Sequence, residues 1–172
     1  MSQSQRKHKI PLAAQWQSIA RDPSALALAV IMAVAIGMPI VEFTMRESVA
    51  VSFSVSMITG LMMIIFGALC GYLANREIAE NWSPIIEKTA KQRLITSGIY
   101  GVVRHPLYSS GLLILAGTNT YFGSRWAWLG TIIVLAGILC RIPLEEKKLI
   151  DRFGQEYITY RQQTKAILPW IF

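Results

Sequence analysis

The sequence has 172 residues, of which 53% are hydrophobic, and it carries a formal net charge of +7. The length fits a single domain, and the apolar residues gather in long uncharged blocks, which excludes an ordinary soluble fold. The positive charges flank these blocks instead of forming a stripe, so we expect contact with anionic membrane lipids and not with nucleic acid.

Four apolar blocks are long enough to cross a bilayer, which requires about 20 residues. They cover residues 24–41, 48–75, 106–124 and 126–144. Residues 1–23 form a basic, partly amphipathic lead-in, and a cleaved signal peptide is the alternative for the first block. We predict an all-α, polytopic membrane helix bundle of about four transmembrane helices, in which the last two form a helical hairpin.

The lysines and arginines predict the orientation of the chain. All but Arg46 and Arg125 lie in the lead-in, in the segment between the second and third blocks, or at and beyond Arg141. Positive residues concentrate on the cytoplasmic side of membrane proteins. We therefore predict that both termini are cytoplasmic, in the inner (cytoplasmic) membrane if the protein is bacterial.

Small residues in the apolar blocks predict close helix packing. Gly60, Gly67 and Gly71 share one face of the second block, a pattern that lets helices approach closely and that could also serve a homodimer. Cys70 and Cys140 show neither metal nor redox spacing. We interpret them as packing residues and expect no metal site.

The C-terminal tail has a helical pattern. From about residue 145, apolar side chains recur at helical spacing at Leu149, Phe153, Tyr157 and Tyr160, with charged residues between them. This periodicity predicts an amphipathic helix lying at the membrane surface.

The first group of candidate site residues lies where the third block begins. Pro106 suits the first turn of a helix, which places His105 at the N-cap and Arg104 just before it. Free N–H groups and the helix dipole favour an anion there, such as the carboxylate of an amino-acid-like cofactor. The alternative is that Arg104 binds lipid phosphate and His105 merely caps the helix.

The second group lies at the end of the fourth block. Arg141 and Glu145 are four residues apart and can pair on one helix face, whereas Glu146 has no local partner. Adjacent carboxylates near a low-dielectric boundary can hold a cation or accept a proton. Because the hairpin makes the last two helices neighbours, we expect both groups to face one cavity suited to a zwitterionic ligand.

Two motifs carry a resemblance to a known family. The run from Leu94 to Tyr108, LITSGIYGVVRHPLY, is followed by EEKKLIDRFGQEYITY from Glu145 to Tyr160 and then by Pro169; Asn81-Trp82-Ser83 precedes both. Over residues 75–170 the sequence resembles the isoprenylcysteine carboxyl methyltransferase and phospholipid methyltransferase group of integral membrane enzymes.

The resemblance implies a cofactor, S-adenosylmethionine, and it implies a role for each of the motif residues. His105 and Tyr108 would contact the cofactor, with Tyr100, Arg104 and Pro106 close by. Glu145 and Glu146 would sit at the reaction centre, and Arg141 would orient an anionic acceptor. The length and the apolar blocks predict a single membrane domain over residues 1–172, with a lead-in and two spans in 1–75 and a cofactor-binding catalytic half in 76–172.

The resemblance further implies transfer of a methyl group to a lipophilic acceptor, an isoprenylcysteine-type carboxylate or similar. Phospholipid amines and small thiols stay open as acceptors. We expect Glu146→Gln to abolish methyl transfer while leaving the fold intact. The alternatives are a membrane NADPH-dependent reductase of the sterol-reductase type and a non-enzymatic membrane protein such as a lipid-binding scaffold.

Overall fold

A computed structural model describes residues 23–45, 55–81 and 94–169. Within these segments the helices are α1 Pro23–Met45, α2 Val55–Asn81, a 3₁₀ turn Gly98–Gly101, α3 Pro106–Phe122, α4 Ala127–Phe153 and α5 Gln155–Gln163. The described segments form no strand beyond one isolated bridge between Val103 and Lys165, so the all-α prediction is confirmed. The predicted lead-in, as well as Trp82 and Ser83, lies outside the described residues.

Three of the described helices, α1, α2 and α4, are long and apolar enough to cross a membrane. Large apolar side chains along them face outward, as expected of helices surrounded by lipid. Cys140 is among the exposed residues of α4, so its predicted packing role is wrong, while Cys70 is partly buried. Helix α3 has 17 residues and spans about 26 Å, slightly less than a bilayer core, so its crossing stays a prediction.

The glycine face of α2 packs against α3 within the same chain. A Cβ atom on Gly60 would lie 2.5 Å from the backbone nitrogen of Tyr121 and 2.6 Å from the carbonyl oxygen of Gly117, while Gly67 and Gly71 lie against the first half of α3. The two helices are therefore antiparallel and in backbone contact. Because α3 covers this face, a second copy of the chain cannot use it to form the homodimer considered above.

Helix α1 closes the bundle against α3 and α4. Its Leu28 and Ala35 belong to a buried apolar cluster with Leu115 of α3 and with Val134 and Ile138 of α4. Polar contacts fix both of its ends: Arg141 donates a hydrogen bond to the hydroxyl of Ser24, and Ser124 donates one to the carboxylate of Glu42. The first contact places the start of α1 beside the second half of α4, and the second places the end of α1 beside the turn between α3 and α4.

Helix α4 is longer than the sequence pattern predicts. It runs without a break through Pro143 and the charged residues to Phe153, where Gly154 with a φ of +58° ends it, and α5 follows. The predicted single tail helix is therefore wrong, and its apolar positions are divided between two helices. Glutamate and lysine are good helix formers, so the fall in hydrophobicity at residue 145 does not end the helix. A glycine with a positive φ does.

Candidate active site

The C-terminal tail fixes the backbone just before α3. The N–H of Arg104 donates to the carbonyl oxygen of Lys165 at 2.8 Å, and the N–H of His105 donates to that of Ala166 at 2.9 Å. His105 occupies the N-cap of α3 and Pro106 its first position, as predicted. The His105 side chain makes no capping hydrogen bond, so the imidazole does not cap the helix.

A hydrogen-bonded network joins α3 to α4. The hydroxyl of Tyr108 donates to Oε1 of Glu145 at 2.8 Å. Nε of Arg141 lies 2.7 Å from the same oxygen and 2.9 Å from the Tyr108 hydroxyl. The predicted Arg141–Glu145 pair is therefore confirmed, and the predicted proximity of the two motifs is confirmed for Glu145.

Glu146 makes a separate set of contacts. Its Oε1 lies 2.8 Å from Nε of Arg104 and its Oε2 lies 3.0 Å from Nε of Arg161. Arg104 also donates to the carbonyl oxygens of Arg161 and Thr164. Glu146 thus ties the start of α3 and the end of α5 to α4. Sequence reasoning missed Arg161, although it follows Tyr157 by one helical turn on α5.

His105 lies between the two carboxylates. Its Nδ1 is 3.8 Å from Oε2 of Glu145, and its Nε2 is 3.5 Å from Oε1 of Glu146. The imidazole stacks on the ring of Tyr108, with the ring centroids 5.7 Å apart. The buried Nε2 atom has no well-aligned hydrogen-bond partner among the described residues.

Two cavities lie beside these contacts. One, the Tyr108 cavity, has a volume of about 440 Å³ and is lined by Glu145 and by all five predicted cofactor residues, Tyr100, Arg104, His105, Pro106 and Tyr108. Lys148 also lines it, which sequence reasoning did not anticipate. The other, the Arg161 cavity, has a volume of about 500 Å³ and is lined by Arg104, Glu146, Lys147 and Arg161. Glu145 lines the first cavity, Glu146 lines the second, and Arg104 lines both, so contact of one ligand with both acids stays a prediction.

The separation of the two acids has a simple cause. Consecutive residues on an α-helix point about 100° apart, so Glu145 and Glu146 turn toward different partners. Glu145 turns toward Tyr108 and Glu146 turns toward Arg104 and Arg161. Arg141 lines neither cavity but contacts Tyr108 and Glu145, which do line the first.

The sequence profile of the phospholipid methyltransferase family matches residues 55–156. This chain belongs to the phospholipid methyltransferase family. The match includes α2, the first motif, the second motif as far as Glu156, and the Tyr108–Glu145–Arg141 network, whereas Arg161 lies beyond it. The family assignment predicted from the two motifs is confirmed.

Named relatives of this family member share the same part of the chain. A protein-S-isoprenylcysteine O-methyltransferase B from Arabidopsis thaliana is 29% identical over 115 residues, covering 65% of this chain and 58% of the relative. The protein-S-isoprenylcysteine O-methyltransferases of Xenopus laevis and Homo sapiens are 31% and 28% identical, each covering 66% of this chain and 41% of the relative. The chain therefore spans less than two thirds of the length of these relatives.

Proposed function

We propose that the chain is an integral membrane methyltransferase that moves a methyl group from S-adenosylmethionine to a lipophilic acceptor. The observation that carries the proposal is the Tyr108–Glu145–Arg141 network, in which Tyr108 and Glu145 line one cavity inside the region matched by the family. The names of the relatives favour an isoprenylcysteine-type carboxylate as the acceptor, with methylation on oxygen.

The residues of the Tyr108 cavity fit S-adenosylmethionine chemically. The cofactor carries a carboxylate, an ammonium group and a sulfonium, and the cavity presents both signs of charge through Glu145, Arg104 and Lys148. The buried Nε2 of His105 is an orphan polar atom of the kind that a ligand satisfies. A volume of about 440 Å³ lies within the range of roughly 300–1,000 Å³ that is usual for cofactor sites.

When bound, the cofactor supplies a methyl group activated by a positively charged sulfur. A carboxylate acceptor has no proton to lose, so no general base is needed. The task of the chain is to position the acceptor and to exclude water, which supply much of the rate in such a displacement. Glu145 balances positive charge at the cavity, and the hydrogen bond from Tyr108 fixes the position of Glu145. Arg141 bonds to both side chains, and its guanidinium attracts an anionic acceptor.

The distribution of positive residues supports an orientation in which this end of the bundle faces the cytoplasm. Both termini would then be cytoplasmic, and the membrane would be the inner membrane in a bacterium. The cavity would open where a water-soluble cofactor arrives from one side and a lipid-embedded acceptor from the other.

The function is tested by incubating the purified protein and its native lipid extract with methyl-labelled S-adenosylmethionine. We expect the labelled methyl group to enter a lipophilic product. Mild base should release it from that product, since base hydrolyses a methyl ester and leaves an N-methyl group intact. A base-stable labelled lipid would make the acceptor an amine. If no label is transferred and NADPH binds instead, the methyltransferase proposal fails.

A matched pair of variants tests which cavity holds the cofactor. We expect His105→Ala to weaken binding of S-adenosylmethionine by about tenfold, since a buried hydrogen bond to a charged ligand is lost. Lys147→Ala changes a side chain that lines the Arg161 cavity and not the Tyr108 cavity, and it should leave the affinity unchanged. Titration calorimetry in detergent measures both. The reverse result would move the cofactor to the Arg161 cavity.

A further inference from the structure

A carboxylate outside both motifs contacts the turn that forms one wall of the Tyr108 cavity. Glu77 lies near the end of α2, and its Oε1 accepts a hydrogen bond of 3.3 Å from the backbone N–H of Ile99. Ile99 belongs to the 3₁₀ turn Gly98–Gly101, which also carries Tyr100, a residue lining that cavity. A partly buried carboxylate at the end of a candidate membrane helix is costly to keep and is usually retained for a function.

Gly98 shows how closely the carboxylate approaches the turn. The glycine has a φ of +57°, and a Cβ atom built on it would overlap Oε1 and Cδ of Glu77. Position 98 therefore requires glycine for two reasons, its backbone conformation and the space that Glu77 occupies. The first N–H groups of a helical turn have no partner inside the turn, and Ser97 makes no side-chain cap. Glu77 supplies that cap from another helix.

The opposite side of the turn is held by α5. The hydroxyl of Tyr160 donates a hydrogen bond of 2.7 Å to the carbonyl oxygen of Tyr100. Burial raises the pKa of Tyr160 to about 12, so the hydroxyl keeps its proton at physiological pH. Burial also raises the pKa of Tyr100, with smaller contributions from Tyr160 and Glu77. The turn is thus fixed between α2 and α5.

We propose that Glu77 is a positioning residue that holds the Gly98–Gly101 turn so that Tyr100 closes the Tyr108 cavity, and that it thereby sets the affinity for the methyl donor. Glu77 does not line that cavity, so it acts through the turn and not by touching the cofactor. The effect on affinity rests on the proposed function; the effect on the turn does not.

Three variants separate positioning from general stability. Glu77→Ala removes the acceptor of the Ile99 N–H and should raise the KM for S-adenosylmethionine about tenfold, with kcat changed less than about threefold. Glu77→Gln keeps a side-chain oxygen that can accept the same hydrogen bond and should stay within about threefold of the unmodified protein. Asn75→Ala is the matched control, because this exposed side chain on α2 donates a hydrogen bond to Gly71 of its own helix and, among the described residues, touches no part of the turn.

Gly98→Ala supplies a double-mutant cycle with Glu77→Ala. The single change introduces both a clash with Glu77 and backbone strain, and it should raise KM at least as much as Glu77→Ala. In the double variant the carboxylate that clashes with the new Cβ atom is gone. The increase in KM should therefore be smaller, by about fivefold or more, than the product of the increases in the two single variants. Effects that simply multiply, or a fall in kcat without a change in KM, would overturn the proposal.

Hydrogen exchange on the protein without cofactor separates failure of this inference from failure of the proposed function. Glu77→Ala should speed exchange in a peptide covering residues 94–103, because the Ile99 N–H loses its acceptor, while Asn75→Ala should not. Unchanged exchange in Glu77→Ala overturns the positioning role. Faster exchange in a protein that binds no S-adenosylmethionine overturns the proposed function, and with it the link between the turn and cofactor affinity.

Discussion

Glu145→Gln is expected to lower kcat/KM for methyl transfer by about 100-fold, mainly through a higher KM for S-adenosylmethionine. The substitution keeps the size of the side chain but removes the negative charge that lines the Tyr108 cavity. It also weakens two charge-assisted hydrogen bonds, from Tyr108 and from Arg141, each worth roughly 1.5–3 kcal/mol. Initial rates at varied cofactor concentration measure the effect.

The control for this prediction is Asp151→Asn, which removes one negative charge from an exposed position on the same helix. We expect kcat/KM in that variant to stay within about twofold of the unmodified protein, because the Asp151 carboxylate is exposed, lines neither cavity, and is screened by water and salt. A Glu145→Gln protein that turns over at a normal rate would remove this residue from the reaction centre. The network would then be a structural link between α3 and α4.

The helices that cross the membrane could be predicted from uncharged blocks because a bilayer selects for length and hydrophobicity. The ends of the helices could not be predicted in the same way. Charged residues stop a membrane crossing without stopping a helix, so α4 continues to Phe153, about two and a half turns beyond its predicted end. Helix α4 ends at Gly154, which is one of 12 glycines in the sequence.

In the candidate site, contacts between residues close in sequence could be predicted, and contacts between distant residues could not. The Arg141–Glu145 pair follows from a spacing of four residues, and the link to Tyr108 follows from the hairpin. The partners of Glu146 lie far away in sequence and on two other elements, so no local rule identifies them. Glu77 was missed for the same reason, since its contact with Ile99 joins residues that are 22 positions apart.

Glu146→Ala is expected to have the largest effect on stability, lowering the free energy of unfolding by about 3–5 kcal/mol. The side chains of Arg104 and Glu146 are only 9% and 5% exposed, so removing the carboxylate leaves a buried guanidinium without its counter-charge. Arg161, whose side chain is 52% exposed, adds at most about 1 kcal/mol. Thermal unfolding in detergent measures the loss, with Glu156→Ala on exposed α5 surface as the control.

The same contacts change what Glu146→Gln should do. The sequence alone led us to expect lost methyl transfer with an intact fold, but Glu146 joins the start of α3 to the end of α5, so we now expect activity and stability to fall together. A glutamine oxygen can still accept one hydrogen bond from Arg104, and the loss of stability should therefore be smaller than in Glu146→Ala. Limited proteolysis of the tail beyond Gly154 should follow the same order. A Glu146→Gln protein that melts normally but transfers no methyl group would instead place Glu146 in the chemistry.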